Sequence, residues 1–148
     1  MKQQIPRLDC LCASFRRASR ALTQHYEEAL RPLGIRASQF TVLQALSLTG
    51  AVAQGRLGEI LAMDSTTLTR TLAIMSREGW IEKRRGRDGR ERNVALTRAG
   101  EKQFVRVLPA WQKVQAKLER RLGKERWSSL LELTYQLTGE VAAHGELS

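Results

Sequence analysis

Two cysteines near the amino terminus, Cys10 and Cys12, are the only thiols in the sequence. Asp9 is suited to cap a helix that begins here, which would place both thiols in the first helical turn. A helix amino terminus with arginines at positions 7, 16 and 17 nearby favours the thiolate, which is the nucleophile and the metal ligand. One hypothesis for this segment is therefore a thiol-based sensor, and the other is a pair of inert thiols.

The spacing of the two cysteines limits what they can do together. On a regular helix, residues two apart point in nearly opposite directions, so a disulfide between Cys10 and Cys12 is geometrically poor. Joint chemistry needs an irregular backbone here, or thiols from a partner subunit. A Cys-x-Cys pair is otherwise a soft-ligand site for trivalent arsenic, antimony or a thiophilic metal, with a third thiol from the other subunit. Structural zinc is not indicated, because His25 and His144 lack a recognisable ligand spacing, and we expect no required cofactor.

A second set of functional side chains lies in residues 64–80, DSTTLTRTLAIMSREGW. Leu68, Leu72 and Met75 recur at helical spacing and predict an inward apolar stripe. The opposite face carries hydroxyls and arginines, where an ordinary solvated helix would carry Glu and Lys pairs. Hydroxyls can donate to or accept from base edges and phosphates, and an arginine can reach guanine or phosphate. The candidate DNA-contacting residues of this helix are Ser65, Thr66, Thr69, Arg70 and Arg77; the alternative is a solvated polar face.

The net charge indicates a polyanionic partner. Lys and Arg number 25 against 15 Asp and Glu, which gives +10 and a sequence pI of about 10.6. Between Arg77 and Arg98, eight bases against four acids leave +4 in 22 residues, and this block directly follows the helix 64–80. Nucleic acid is the expected partner. RNA and membrane surfaces attract the same charge, so composition alone does not choose among them.

The elements that must position these residues are mostly helices. Periodicity and turn chemistry predict helices over about 8–30, 38–47, 56–62 and 64–79, then a β-hairpin, a long helix from Thr97 to Gly123 and a last helix over 124–143. Ser38 is suited to cap the second helix. The hairpin has strands 80–84 and 92–96 around the turn GRDGR. Two short helices followed by a hairpin predict a winged helix-turn-helix, with helix 64–79 in the major groove and an arginine of the hairpin tip at the neighbouring minor groove.

The terminal helices carry long apolar seams that a small central module cannot cover. We therefore expect a mainly α protein with a small β-hairpin wing that forms a homodimer through its amino- and carboxy-terminal helices. The predicted organisation is a dimerisation helix in 1–34, a winged helix-turn-helix lobe in 35–98 and dimerisation helices in 99–148. A two-fold binder also suits palindromic double-stranded DNA. The alternative is a self-contained helical bundle.

Two stretches resemble the signature of the MarR (multiple antibiotic resistance regulator) family of transcription factors. They are LGEILAMDSTTLTRTLAIMSREGWIEKRR and the wing pattern Asp88-x-Arg90 leading into VALTRAG. The resemblance implies a homodimer with two winged lobes on a pseudo-palindromic operator, which represses a nearby operon and leaves DNA on sensing a ligand or an oxidant. It also implies that Arg90 is the wing-tip arginine and that Asp88 orients it by a salt bridge. Arg87, in the same turn, is a further candidate DNA-contacting residue.

The stretch LCASFRRASRA resembles the start of the organic-hydroperoxide-sensing (OhrR) branch of that family. In that branch a thiol at the position of Cys12 is oxidised, and tyrosines hydrogen-bond its thiolate. Tyr26 matches one of these tyrosines, whereas Arg16 and Ala37 stand where others would be. The candidate effectors are therefore an oxidant or a soft metalloid acting on Cys10 and Cys12, or an organic ligand with the thiols inert.

Other classes of function find little support in the sequence. There is no local nucleophile–base motif, no glycine-rich phosphate loop and no metal-ligand cluster, so we do not expect an enzyme. Modules that bind single-stranded RNA need exposed aromatic platforms, and aromatics are only 5% of the residues. An RNA-binding basic module remains the alternative. Neither a long apolar run nor a signal-peptide pattern is present, so we expect a cytoplasmic protein with no membrane partner.

Overall fold

A computed structural model of the chain describes residues 5–143. The described part is mainly helical with one small antiparallel sheet, as predicted. Its helices are α1 (Leu11–Leu30), α2 (Ala37–Thr49), α3 (Gln54–Leu61), α4 (Ser65–Arg77), α5 (Arg98–Leu122) and α6 (Lys124–Ala143), and its strands are β1 (Val52–Ala53), β2 (Ile81–Arg85) and β3 (Arg92–Leu96). None of these helices is both long and apolar enough to cross a membrane. His144, weighed above as a zinc ligand, lies outside the described residues.

The helix ends follow local chemistry at most positions. The side chain of Asp64 accepts the Thr67 backbone N–H at 2.9 Å and caps α4. Thr97 caps α5 in the same way by accepting the Gly100 N–H at 3.0 Å. A 3₁₀ turn, Arg31–Leu33, follows α1 and ends at Gly34, whose φ of 75° lies in the left-handed region that glycine adopts without strain. The starts of α4 and α5 and the end of α1 agree with the helix boundaries predicted from the sequence.

Two predicted helix caps are wrong. Helix α1 begins at Leu11, so Cys10 rather than Asp9 occupies the cap position, while Asp9 pairs with Arg7 at 3.3 Å. Helix α2 begins at Ala37, so Ser38 lies inside the helix. The Ala37 N–H is satisfied by the Glu27 Oε1 atom of α1 at 2.8 Å. A contact from a distant part of the chain replaces the serine cap, and no local sequence pattern could indicate it.

The sheet has one strand more than the sequence predicts. Strands β2 and β3 form the expected hairpin, with a register from Ile81↔Leu96 to Arg85↔Arg92. The short strand β1 pairs with the other edge of β3, where Val52 faces Val94, which gives the order β1-β3-β2. Two residues are too few to show an alternating pattern, so the segment between Gly50 and Gly55 was predicted as a loop. Because β1 leads directly into α3, it fixes the start of α3 against the wing.

The core lies in the winged lobe. Leu68, Leu72 and Met75 of α4 are at most 2% exposed, which confirms the predicted inward stripe. They belong to one cluster with side chains of α2, α3, the sheet and α5, among them Leu43, Leu46, Leu57, Val94 and Val107. In contrast, Leu30 is the one buried residue of α1, and no residue described in α6 is buried. The terminal helices therefore keep much of their apolar surface outside this core.

Candidate nucleic-acid interface

Helix α4 presents a polar face opposite its buried stripe. Ser65, Thr66, Thr69, Arg70 and Arg77 are all exposed, so the structure places the five predicted residues of this helix on its outer side. At its start, the Thr67 hydroxyl donates to Asp64 Oδ2 at 2.6 Å. This bond, together with the Thr67 backbone N–H, lowers the pKa of Asp64 below its usual value. The first turn of α4 is thus held by a charged cap.

The hydroxyls of α4 fall into two groups by their hydrogen bonds. Thr67 and Thr71 use their protons inside the protein, since Thr67 donates to Asp64 and Thr71 donates to the Thr67 carbonyl at 3.0 Å. Within residues 5–143, Ser65 and Thr66 make no side-chain hydrogen bond, and Thr69 acts as an acceptor. The three hydroxyls with a free proton are those predicted to contact DNA.

Thr69 is contacted by a residue that the sequence analysis did not single out. The Gln54 Nε2 atom, at the start of α3, lies 3.3 Å from Thr69 Oγ1. This contact crosses from one helix of the helix-turn-helix to the other, over a sequence separation of 15 residues. Because the pairing depends on how α3 and α4 pack, no local sequence signal could have indicated it.

The tip of the hairpin is an ordered turn built around Asp88. Its Oδ1 atom accepts the backbone N–H groups of Arg90 at 3.1 Å and Glu91 at 3.2 Å. The Glu91 and Arg90 N–H bonds lower the pKa of the Asp88 carboxyl. The turn is closed by the Gly86 N–H, which donates to the Glu91 carbonyl at 2.7 Å, and Gly89 has a φ of 71°. The GRDGR segment therefore has a defined backbone shape.

The predicted salt bridge between Asp88 and Arg90 is not formed. Among the ion pairs of the described residues, none joins these two side chains. The carboxylate is already occupied by two backbone N–H groups, so it orients Arg90 through the main chain. The side chains of Arg87 and Arg90 are both exposed at the tip.

Several acids near this surface are neutralised by neighbouring arginines. Glu82 pairs with Arg84, and Glu59 pairs with Arg56 at 2.7 Å. In the described part of the chain, no carboxylate lies within ion-pair distance of the arginines that project from α4 and the wing, namely Arg70, Arg77, Arg85, Arg87, Arg90 and Arg92. Helix α4 and the wing therefore both expose arginines without an ion pair, and the start of α4 adds exposed hydroxyls. Such a surface suits a phosphate backbone with base edges behind it.

The chain is similar to known transcriptional regulators over most of its length. The profile of the MarR family matches residues 33–91. The uncharacterized HTH-type transcriptional regulator YwoH of Bacillus subtilis is 32% identical over 90 residues, which are 61% of this chain and 66% of YwoH. The M. tuberculosis transcriptional regulator MosR, whose crystal structure was solved in complex with DNA, has 32% sequence identity to this chain. The two structures superpose with a TM-score of 0.80 over 91% of this chain and 98% of MosR.

The chain belongs to the MarR family. A mutant MarR of E. coli, solved with operator DNA, shares the fold at 24% identity, with a TM-score of 0.77 over 86% of this chain and 92% of that one. The family and the fold are those of transcriptional regulators that bind DNA and not those of enzymes. This confirms the prediction of a DNA-binding regulator and the prediction that the protein is not an enzyme. The resemblance to the peroxide-sensing branch stays a prediction.

In this MarR-family regulator, α4, the wing and α5 meet at one junction. The Thr97 hydroxyl donates to the carbonyl of Gly79, just after α4, and the Thr97 N–H donates to the Trp80 carbonyl at 3.0 Å. Gly100, in the first turn of α5, packs so closely that an added Cβ atom would lie 2.0 Å from the Trp80 carbonyl oxygen. The end of the proposed recognition helix, the start of the wing and the start of α5 are therefore fixed to one another.

The two thiols lie at a break in backbone geometry. Cys10 has extended dihedral angles (φ −124°, ψ 117°), whereas Cys12 lies in the first turn of α1, and both are exposed. The segment before the helix is tied back, because Ser14 Oγ donates to the Leu8 carbonyl at 2.9 Å and Arg17 donates to the Pro6 carbonyl at 2.8 Å. Cys10 therefore lies just before the regular helix that contains Cys12. No group of three or more candidate metal ligands forms within the residues described.

Tyr26 lies far from the thiols in this chain. It is half-buried and lines a cavity of about 440 Å³ between α1, α2, α5 and α6, where burial raises the pKa of its hydroxyl. Fourteen residues of helix separate it from Cys12, which is roughly 21 Å along the axis. The two side chains are therefore far apart within one protomer, and a hydrogen bond from Tyr26 to a Cys12 thiolate stays a prediction. Phe40, Trp111 and Gln115 also line the cavity.

Proposed function

We propose that this chain is a homodimeric transcriptional regulator that binds a pseudo-palindromic operator in double-stranded DNA. One observation supports it most strongly: in the described part of the chain, α4 exposes hydroxyls and arginines without an ion pair, and the wing exposes further arginines without one. Helix α4 would enter the major groove, and Arg90 with Arg87 would approach the adjacent minor groove. That the similar MosR was solved in complex with DNA supports duplex DNA as the partner. We assign residues 35–98 to the DNA-binding lobe, and residues 1–34 and 99–148 to dimerisation.

The dimer part of the proposal rests on apolar side chains that the described chain leaves exposed. In α1 and α6 these include Leu11, Phe15, Leu22, Leu130, Leu131, Leu133, Tyr135 and Val141, which are between 37% and 78% exposed. Surfaces of this kind on a soluble regulator indicate contact with another molecule, and a second copy offers the matching seam. Sedimentation of the full chain should give a dimer. A stable, folded monomer after truncation behind Leu122 would contradict the role of α6.

The DNA-binding part is tested by the duplex sequences that the chain prefers. Fluorescence anisotropy with labelled duplexes should show affinity that falls steeply as salt rises. Thr69→Ala and Arg70→Ala should each change the ranking of duplexes, because α4 would contact base edges. Lys113→Ala, which removes an exposed charge from α5, serves as the control and should keep the ranking. An unchanged ranking in both α4 variants, or tighter binding to single-stranded RNA, would contradict the proposal.

We further propose that the regulator represses its target and is released by an effector that reacts with Cys10 and Cys12. The extended backbone of Cys10 supports this candidate, because the geometric objection applies to two cysteines within one regular helix. An organic hydroperoxide would be attacked by one thiolate, which breaks the O–O bond and releases an alcohol. The resulting sulfenic acid would condense with the second thiol to a disulfide and release water. A soft metalloid bound by both thiols and a partner's thiol is the alternative.

Operator release distinguishes these effectors. The wild type, Cys12→Ser and Cys10→Ser would be titrated with an organic hydroperoxide, and separately with trivalent arsenic or antimony under reducing conditions. Release by hydroperoxide that is lost in both variants supports the oxidant, and release by the metalloid that is lost in both supports the soft-ligand site. Tight binding under every condition would contradict a thiol sensor and direct attention to organic ligands of the cavity beside Tyr26.

A further inference from the structure

The contact between Gln54 and Thr69 determines which hydrogen-bonding role Thr69 can take. An amide nitrogen is only a donor, and a hydroxyl offers one proton and two lone pairs. With Gln54 Nε2 at 3.3 Å, Thr69 Oγ1 accepts, and its own proton remains available. We propose that Gln54 is a specificity-determining residue that presents Thr69 to the major groove as a hydrogen-bond donor. The inference rests on the proposed insertion of α4 into that groove.

Thr69 behaves differently from the other threonines that lie beyond the first turn of a helix. Six threonines that lie beyond the first turn of a helix donate to the carbonyl four residues earlier: Thr23, Thr41, Thr49, Thr71, Thr134 and Thr138. This back-bonding is the usual resting arrangement of a helical threonine. Thr69 makes no such bond to the Ser65 carbonyl, and its side-chain hydrogen bond is the one that it accepts from Gln54. The exception occurs on the face that would meet DNA.

The two arrangements would recognise different bases. A hydroxyl that keeps its proton donates to the acceptors of the major groove, which are guanine N7 and O6, adenine N7 and thymine O4. A hydroxyl that donates back to the helix offers only a lone pair, which matches the amino groups of cytosine and adenine. Gln54 therefore selects between two base preferences without touching the base itself.

Gln54 is placed to hold this arrangement. It is the first residue of α3 and follows β1, whose pairing with β3 fixes the start of that helix. The residue is half-buried, whereas Thr69 is exposed. An amide anchored on one helix can thus orient a hydroxyl on the next, while the hydroxyl stays accessible to a ligand.

The test uses the duplex that the wild type selects from a randomised pool, together with every single base-pair change in it. Thr69→Val should abolish discrimination at the base pair that Thr69 contacts. In Gln54→Ala the Thr69 hydroxyl is free to donate back to the Ser65 carbonyl, so discrimination at the same base pair should fall by about threefold to tenfold, the value of one neutral hydrogen bond. The double variant should lose no more discrimination than Thr69→Val alone, because both changes remove the same interaction between Thr69 and the base.

A variant with a carboxylate at position 54 should reverse the base preference instead of weakening it. In Gln54→Glu the carboxylate would accept the Thr69 proton, so the preference at that base pair should shift toward bases with an exocyclic amino group. Gln112→Glu, on an exposed part of α5, controls for a general loss of affinity, and the ranking of duplexes is the measured quantity. The inference is overturned if Gln54 variants leave the Thr69 base pair unchanged or if the two losses add. If Thr69→Val alters no position, the proposed role of α4 fails instead.

Discussion

The Glu27 carboxylate of α1 accepts the Ala37 backbone N–H at 2.8 Å and pairs with Arg36 at 3.0 Å. One side chain therefore connects the proposed dimerisation helix to the first helix of the DNA-binding lobe. The segment between them is also held from the other side, because Gln103 and Arg106 of α5 donate to the Leu33 carbonyl at 3.2 Å and 3.0 Å. The spacing of two lobes in a dimer would depend on these contacts.

Glu27→Ala should lower the free energy of unfolding by about 1–3 kcal/mol, because the Ala37 N–H loses its partner in a partly buried place. The pairing with the largely exposed Arg36 should contribute little of this. Urea unfolding at a fixed protein concentration measures the change. Glu28→Ala, which removes an exposed carboxylate one residue away, is the control and should remain within about 0.5 kcal/mol of the wild type. Equal losses in the two variants would mean that the capping contact is unimportant.

Gly100→Ala should be among the most destabilising alanine substitutions in the chain. The new Cβ atom would lie 2.0 Å from the Trp80 carbonyl oxygen, which belongs to the backbone and cannot rotate away. We expect a loss of about 3 kcal/mol, the upper part of the usual range for overpacking. Gly55→Ala meets nothing within 4 Å and serves as the matched control in thermal unfolding. A melting temperature close to that of the control would show that the junction can relax.

The stability of the cap on α4 should depend on pH. The Thr67 hydroxyl and N–H hold the pKa of Asp64 below its ordinary value of 3.8. The ionised form therefore stabilises the folded state fully above that value, and this contribution is lost as the pH falls through the lowered pKa. The difference in unfolding free energy between the wild type and Asp64→Ser should shrink over the same range. Thr67→Val should move the Asp64 pKa back toward 3.8, which carbon NMR of the carboxyl can follow; an unmoved pKa would contradict the assigned cause.

Arg90→Ala should weaken DNA binding and reduce the slope of log K against log salt by about one, as expected for one lost cationic contact. Lys113→Ala removes the same charge from α5 and should change the slope by much less. Both would be measured by anisotropy across a salt series. An unaltered affinity and slope in Arg90→Ala at moderate salt would argue against insertion of the wing.

Asp88→Ala should weaken DNA binding although it removes one negative charge. The substitution leaves the Arg90 and Glu91 N–H groups without their acceptor, so the tip loses its fixed shape. Asp88→Asn keeps an oxygen at that place and should retain most of the affinity. The side-chain salt bridge implied by the family resemblance leads to the opposite expectation, in which Asn fails as Ala does. The comparison of the two variants by anisotropy decides between these roles.

The features of the fold that sequence could predict are those with a local cause. The stripe of Leu68, Leu72 and Met75, the start of a helix near residue 64 and of another at Thr97, and the GRDGR turn were predicted because each depends on residues close together in the chain. The start of α2 was misplaced because its cap, Glu27, comes from another helix. Strand β1 was missed because its only support is the edge of β3.

The candidate site also contains features that the local sequence predicts and features that only the folded structure reveals. The exposed hydroxyls and arginines of α4 follow from helical periodicity, so their common face could be predicted. The role of Asp88 could not, because a carboxylate beside an arginine favours an ion pair until the backbone N–H groups of the turn are known. Gln54 carries no local signal, and only the packing of α3 on α4 brings it to Thr69.

The junction of Thr97, Trp80 and Gly100 has a consequence for the kinetics of DNA release. Because it fixes the end of α4, the start of the wing and the start of α5 to each other, we expect the major-groove and minor-groove contacts of one lobe to break together. Dissociation of a lobe would then be a single concerted event, with exponentially distributed dwell times. An effector that rotates α5 by a small angle would move α4 and the wing together. It would therefore shorten the residence time of the whole lobe on DNA.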